Sequence, residues 1–189
     1  MFLVIMETSG NQRYIFSTNK LRENVGASEL TYQSCTGWVA EAVLSRPNTG
    51  ICARQSKDLL RGLCDPSVNP PIESNSSENA VEVVLAVSGK AYILTKKEED
   101  ARCLIGEVTE RALREAPGLD IAGAYVEFEW NGNTHIHDVI KNAYLRLSRV
   151  RSHLPGPEAW FLRIPLVDVC ATSGLPASHT IKVAGEPRR

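Results

Sequence analysis

The first chemistry that the sequence suggests is phosphate binding, in the segment between Ser9 and Ser28. A Ser9-Gly10 turn follows an apolar run and leads into a helical pattern, so backbone N–H groups at the helix start could hold an anion. Lys20 and Arg22 lie close by in the sequence and would add positive charge. A capped helix with a solvated basic turn would have the same residues. Spacing and composition alone do not decide between these two interpretations.

Hydrophobic periodicity predicts the elements that must position this segment. Residues 2–7 form a continuous apolar run that is typical of a strand buried on both faces. Apolar residues recur at helical spacing over 12–46, which predicts two helical pieces before Pro47. Further elements are predicted as strands over 81–87 and 91–95, a helix over 97–116, a strand over 119–130, a helix over 134–153 and a last strand over 160–169, which Pro165 would confine to a sheet edge.

This order predicts an α+β fold of the ferredoxin-like type, β-α-β-β-α-β, in which two helices cover one face of an antiparallel sheet. The chain has 189 residues, enough for one well-buried core, so we expect a single domain over residues 1–177. Residues 47–79 are weakly patterned and predict a surface loop or insertion. The end of the chain, 178–189, is expected to be a flexible tail.

Composition limits the partners that the chain can attract. The net charge is −1, with 21 basic and 22 acidic residues, so uniform attraction to nucleic acid or to an anionic membrane is excluded. The helix over 134–153 carries a basic side formed by Lys141, Arg146, Arg149 and Arg151. A solvated face is the simpler interpretation of this pattern, and a local RNA contact is the alternative.

The sequence also bears on location. The N-terminal apolar run has no basic lead-in, and no stretch reaches the roughly 18 apolar residues that cross a bilayer. The five cysteines are odd in number and form no Cys-x-x-Cys pair, which argues against a disulfide framework and against zinc. We therefore expect a cytoplasmic protein without a membrane partner.

The segment after the first strand resembles a known family. The runs Gly10-Asn-Gln-Arg-Tyr-Ile-Phe16, Asn19-Lys-Leu-Arg-Glu23 and Gly26-Ala-Ser28 are similar to the first palm domain of the large, polymerase-like subunit of type III CRISPR complexes. Weaker likenesses follow in the same order, at Glu115-Ala-Pro-Gly-Leu119 and Cys170-Ala-Thr-Ser-Gly-Leu-Pro-Ala177. The resemblance covers about residues 2–177, and its first motif is the specific one.

The resemblance implies a palm related to GGDEF-type nucleotide cyclases, a nucleotide ligand such as ATP, and a role in prokaryotic antiviral signalling. Palms of this kind work in pairs, so the implied partner is a second palm domain or a second copy of the chain. The implied nucleotide contacts are Ser9, Gly10, Asn11 and Gln12 near phosphate or ribose, with Gly26 and Ser28 near the base or ribose; Lys20 joins them as the nearby cation.

The sequence departs from the catalytic members of this family at the metal site. Nucleotidyl transfer needs carboxylates that hold divalent ions, and active palms take them from the end of the first strand and from a Gly-Gly-Asp-Asp-like hairpin. The matching hairpin here is Ser88-Gly89-Lys90-Ala91, which contains no acid, and Glu7 is left as a lone candidate Mg²⁺ ligand opposite Lys90.

This departure favours a degenerate, nucleotide-binding palm that is not catalytic alone. Two alternatives stay open at this point. One is a nucleotidyl cyclase or oligoadenylate synthetase that a partner completes, and the other is a purely structural interaction module.

Overall fold

The computed structural model describes residues 1–47, 49–73, 79–130, 134–154, 168–169, 181–183 and 186–188. Four strands form an antiparallel sheet in the order β2-β3-β1-β4. Their bounds are β1 Phe2–Ser9, β2 Val81–Val87, β3 Lys90–Thr95 and β4 Asp120–Glu127. This is the strand order of a ferredoxin-like fold, so the predicted fold class is confirmed.

β1 is one of the two inner strands of the sheet, and both of its faces are apolar. Val4 and Met6 belong to one core cluster, and Leu3 and Ile5 belong to a second cluster on the opposite face. Side chains alternate along a strand, so a continuous apolar run is what a strand covered on both sides requires. Each of these four side chains is nearly inaccessible to solvent, and such burial stabilises by roughly 1.5–3 kcal/mol per large side chain.

Five helices belong to the connections that lead from β1 to β2 and from β3 to β4. They are α1 Asn11–Ile15, α2 Leu21–Cys35, α3 Gly37–Leu44, α4 Ser56–Arg61 and α5 Glu98–Glu115. α3 and α5 contribute Val39, Val43, Leu104 and Val108 to the core cluster that contains Val4 and Met6. Two helical pieces were predicted over 12–46, whereas the structure has three helices there, α1, α2 and α3, and Thr36 separates α2 from α3.

A sixth helix, α6 Ile136–His153, covers the second face of the sheet. Its buried residues Val139, Ala143 and Leu147 pack with Leu3 and Ile5. The spacing of these residues is four, so they form one stripe along the helix. The sheet therefore has helices on both faces. The sequence pattern predicted that the helices of the two connections between strands would cover one face only.

The C-terminal part of the chain is described only in short pieces. In the segment predicted as a flexible tail, β5 Ile181–Val183 pairs with β6 Glu186–Arg188 as a separate two-stranded sheet. The strand predicted over 160–169 lies outside the described residues, apart from 168 and 169. Among the described helices, none is both long enough and apolar enough to cross a membrane.

Candidate functional site

The turn between β1 and α1 lies at the end of β1, an inner strand of the sheet. Gly10 has a φ of 63°, in the left-handed region that glycine adopts most easily, and its carbonyl accepts the N–H of Tyr14 at 3.0 Å. The Ser9 hydroxyl donates to Asp120 Oδ2 at 2.5 Å, because the β1–β4 register places these two residues opposite each other. Ser9 is thus tied to the first residue of β4.

The β2–β3 hairpin packs directly on this turn. The Thr8 N–H donates to the Gly89 carbonyl at 2.9 Å, and Gly89 has a φ of 77°. A Cβ atom at Gly89 would lie 2.8 Å from Thr8 Oγ1 and 3.2 Å from Asn11 Nδ2. Two glycine turns therefore meet at one edge of the sheet, and only glycine fits at position 89 without displacing a neighbour.

The other predicted nucleotide contacts lie on the surface of α1 and α2. Gln12, Gly26 and Ser28 are exposed, and a Cβ atom at Gly26 would meet nothing within 4 Å. The Lys20 ammonium donates to Glu23 Oε1 at 2.8 Å, so this cation has a carboxylate partner within its own helical turn. The region around Gly26 is open space rather than an enclosed pocket.

Glu7 is held between two cations. Lys90 Nζ lies 3.0 Å from Glu7 Oε1, and Arg151 Nη1 lies 2.9 Å from Glu7 Oε2. A second guanidinium nitrogen of Arg151 donates to the Glu7 backbone carbonyl at 3.0 Å. The prediction that Lys90 stands opposite Glu7 is confirmed by the β1–β3 register. Arg151, from the last turn of α6, is an addition that the sequence did not reveal.

Two tyrosines extend this cluster. The hydroxyls of Tyr92 and Tyr144 lie 2.8 Å apart, and Lys90 Nζ lies 5.3 Å from the centre of the Tyr144 ring. The Tyr144 hydroxyl and the Glu7 carboxylate raise the pKa of the Lys90 ammonium, which keeps it charged. Burial, followed by the bond to Tyr144, raises the pKa of Tyr92 to about 12. We call Glu7, Lys90, Tyr92, Tyr144 and Arg151 the Glu7 cluster.

The Glu7 cluster does not fit a divalent cation. Mg²⁺ needs several oxygen ligands in octahedral geometry, and both Glu7 carboxylate oxygens already accept bonds from cations. In the described part of the chain, no three His, Cys, Asp or Glu side chains come together as a metal-binding group. Mg²⁺ binding by Glu7 stays a prediction, and it would require the displacement of both Lys90 and Arg151.

The basic side of α6 is only partly available to a partner. Arg146 Nη1 donates to the Tyr125 carbonyl at 2.9 Å, and its guanidinium lies 4.8 Å from the centre of the Tyr125 ring. Arg151 is bound to Glu7, whereas Lys141 and Arg149 are exposed. Two of the four basic residues thus fasten the helix to the sheet, and local RNA contact stays a prediction.

Asp120 and Arg151 are the residues that sequence reasoning missed at this site. Asp120 could have been found from the predicted fold, because the first residue of a strand antiparallel to β1 lies opposite the last residue of β1. Arg151 gave no such signal. Its position in a predicted basic face indicated solvent, and its partner Glu7 is 144 residues away in the sequence.

Comparisons with known proteins add a partial likeness of structure. No family model and no curated protein matches the chain. Solved structures similar to it include the Csm1–Csm4 cassette in complex with cA4, the same cassette in complex with one ATP, and the Csm1–Csm4 subcomplex in the type III-A CRISPR-Csm interference complex. Each has a TM-score of 0.49 and 12% sequence identity, and covers 80% of this chain.

The chain spans only 19% of the length of those matched chains.

Proposed function

We propose that this chain is a nucleotide-binding palm of a CRISPR-type antiviral signalling system, which takes an ATP-like ligand and is not catalytic alone. The observation that carries the proposal is the meeting of two left-handed glycine turns, at Gly10 and Gly89, at one edge of the sheet beside Lys90. Glycine turns let backbone approach a ligand closely, and a cation beside them favours an anionic ligand.

The sequence resemblance supplies the nucleotide class. Ser9, Gly10, Asn11 and Gln12 would lie near phosphate or ribose, with Lys20 as an additional cation that must leave Glu23 to reach the ligand. Gly26 and Ser28 would lie near the base or ribose, and the open space at Gly26 supports this assignment. Asn11 Oδ1 is buried without a hydrogen-bond partner among the described residues, so it could accept from a ribose hydroxyl.

The lack of catalysis follows from charge. Nucleotidyl transfer requires carboxylates that place metal ions against the attacking and leaving oxygens. The corresponding positions hold Glu7, which two cations neutralise, and Lys90, which is itself a cation. A partner that supplies acids would still have to displace Lys90 from the end of the hairpin.

An exposed apolar face on α2 and at Phe16, just after α1, supports pairing with a second palm or a second copy of the chain. Phe16, Leu21 and Val25 are 68%, 77% and 61% exposed, and Tyr32 continues the same side of α2. Large apolar side chains clustered on one surface are typical of sites that another protein covers. This face adjoins Gly26 and Ser28, so the partner would close the open side of the nucleotide site.

Thermal unfolding with ATP, GTP or CTP at millimolar concentration tests the proposal. A ligand at about 100 times its dissociation constant adds roughly 2.7 kcal/mol, which shifts Tm by several degrees in a chain of this length. We expect a shift with ATP in the wild type and its loss in Gly26→Leu, because the leucine fills the open space over α2 without clashing with the protein.

Gly106→Leu is the matched control, since Gly106 is also a helical glycine with nothing within 4 Å, on α5. It should keep the ATP shift. Equal shifts in Gly26→Leu and the wild type would contradict the assigned position of the nucleotide. The absence of a shift with every nucleotide would contradict the proposed function itself.

A further inference from the structure

In a catalytic palm, the position of the Glu7 cluster would hold a metal-binding site rich in negative charge. The Glu7 cluster has the opposite charge. A metal-dependent site would gather carboxylates around divalent ions. Here the end of β1 and the start of β3 gather one carboxylate and two cations, Glu7 with Lys90 and Arg151, for a local charge of +1. The Asp120 carboxylate accepts from the Ser9 hydroxyl two residues further along β1 and keeps its own negative charge. Within the Glu7 cluster the cations outnumber the carboxylate, which favours an anion over a cation.

The two cations keep hydrogen-bonding capacity for a ligand. An ammonium has three N–H donors; Lys90 Nζ lies 3.0 Å from Glu7 Oε1 and 5.3 Å from the centre of the Tyr144 ring. A guanidinium has five donors, and the two terminal nitrogens of Arg151 each direct one bond to Glu7. The side chains of Lys90 and Arg151 are 36% and 28% exposed, so a phosphate oxygen can reach both.

We propose that Lys90 and Arg151 bind the nucleotide's phosphate groups directly, and that this chain therefore binds a nucleotide without a divalent metal ion. The inference rests on the proposed function, since it assigns the phosphate contacts of the same site. Glu7 is the counterion that holds the two cations a few ångströms apart while no ligand is bound. It is not a metal ligand.

The geometry favours phosphate over a simple carboxylate ligand. Glu7 separates the two cations, so a ligand that satisfies both must present acceptors in several directions. Consecutive phosphate groups do so, and Arg and Lys form short charge-assisted bonds with them. The cluster lies beside Gly89, whose backbone bonds to Thr8 at the β1–α1 turn. Phosphates at the cluster would thus adjoin the turn assigned to the nucleotide.

Titration calorimetry of the full chain with ATP and with adenosine, each in EDTA and in Mg²⁺, tests the inference. We expect ATP to bind in EDTA, and to bind more tightly than adenosine. Lys90→Gln and Arg151→Gln should each weaken ATP binding about tenfold or more and leave adenosine binding unchanged. A tenfold change corresponds to about 1.4 kcal/mol. An effect on folding alone would weaken both ligands equally.

Matched controls exist for both variants. Lys96 is exposed just beyond the other end of β3, and Arg149 is exposed two residues before Arg151. Lys96→Gln and Arg149→Gln remove the same charges from the chain and should leave ATP binding unchanged. Lys90→Arg keeps the charge and should retain most of the ATP affinity, which separates the role of the cation from any effect of Lys90→Gln on folding.

Glu7→Gln distinguishes the two assignments by the sign of its effect. If Glu7 is a counterion, its neutralisation frees the two cations and ATP should bind at least as tightly in EDTA. If Glu7 is a metal ligand, the same variant should lose Mg²⁺-dependent binding. Weaker ATP binding by Glu7→Gln would overturn the inference.

The remaining outcomes separate the inference from the proposed function. ATP binding that requires Mg²⁺, or that survives in Lys90→Gln and Arg151→Gln, would overturn the inference and leave the nucleotide-binding function intact. If neither ATP nor adenosine binds under any condition, the proposed function fails and the inference fails with it.

Discussion

Replacing Gly89 with alanine should destabilise the protein, because this glycine holds the hairpin against the β1–α1 turn. Its φ of 77° lies in the left-handed region, where a side chain costs about 1–2 kcal/mol. The new Cβ would lie 2.8 Å from Thr8 Oγ1, and the buried Thr8 side chain has little room to move. Loss of glycine flexibility in the unfolded state offsets about 0.4–1 kcal/mol. The difference between these two terms is roughly 0–1.6 kcal/mol, and the crowding against Thr8 adds to it, so we expect a net loss of about 1–2 kcal/mol.

Urea unfolding and thermal unfolding of Gly89→Ala would measure this loss. For a chain of this size, about 1–2 kcal/mol corresponds to a fall in Tm of roughly 2–8 °C. Gly106→Ala is the control with the opposite expected sign, because Gly106 lies within α5 and its Cβ would meet nothing within 4 Å. Alanine there should stabilise by about 0.5–1 kcal/mol. If Gly89→Ala is as stable as the wild type, the reasoning about this turn is wrong.

Three further predictions concern stability, alkaline pH and thiol reactivity. Leu104→Ala should cost about 2–5 kcal/mol in urea unfolding because Leu104 is fully buried, whereas Leu113→Ala, on the same helix and 57% exposed, should cost far less. The raised pKa of Tyr92, about 12 against 10.0, means that the unfolded chain loses this proton first, so stability should fall between pH 10 and 12 and fall less in Tyr92→Phe. Burial raises the pKa of Cys35 to about 11, so native protein treated with a thiol reagent should be labelled at the exposed Cys52 and not at Cys35; equal labelling rates would contradict its burial.

The fold could be predicted from local patterns because most of its elements carry complete local signals. β1 is a continuous apolar run, the hairpin has a glycine at its turn, and α5 begins with three acidic residues that favour a helix start. These signals give the order of elements, and the order gives the sheet. The face that α6 covers was harder to predict, since the helix stripe shows only that one side is buried and not which sheet face it meets.

The α2 helix shows that hydrophobic periodicity reveals an apolar face but not what covers that face. Leu21 and Val25 fit a helical pattern of apolar residues, and the sequence alone would place them against the sheet. In the structure both are exposed, and the buried residues of α2 are Thr31, Ser34 and Cys35 near its C-terminal end. An apolar face predicts that another surface packs against it. For α2 we propose that this surface belongs to a second palm or a second copy of the chain, and not to the sheet of the same chain.

Arg151 explains why the candidate site could be predicted only in part. Glu7 and Lys90 follow from strand register, so a carboxylate with one cation opposite was foreseeable. A carboxylate with one exposed cation can exchange it for a metal ion. The fold adds a second cation, Arg151, on the other carboxylate oxygen of Glu7, and this residue comes from α6 near the far end of the described chain.

Displacing Lys90 and Arg151 from Glu7 would leave two partly buried charges unpaired. Breaking even one buried pair costs roughly 3–5 kcal/mol when a charge is left without a partner. These side chains are partly exposed, so the cost here is smaller, but its sign is the same. The packing of α6 thus gives Glu7 a second cationic partner, which makes a metal ion at Glu7 less favourable than strand register alone would suggest.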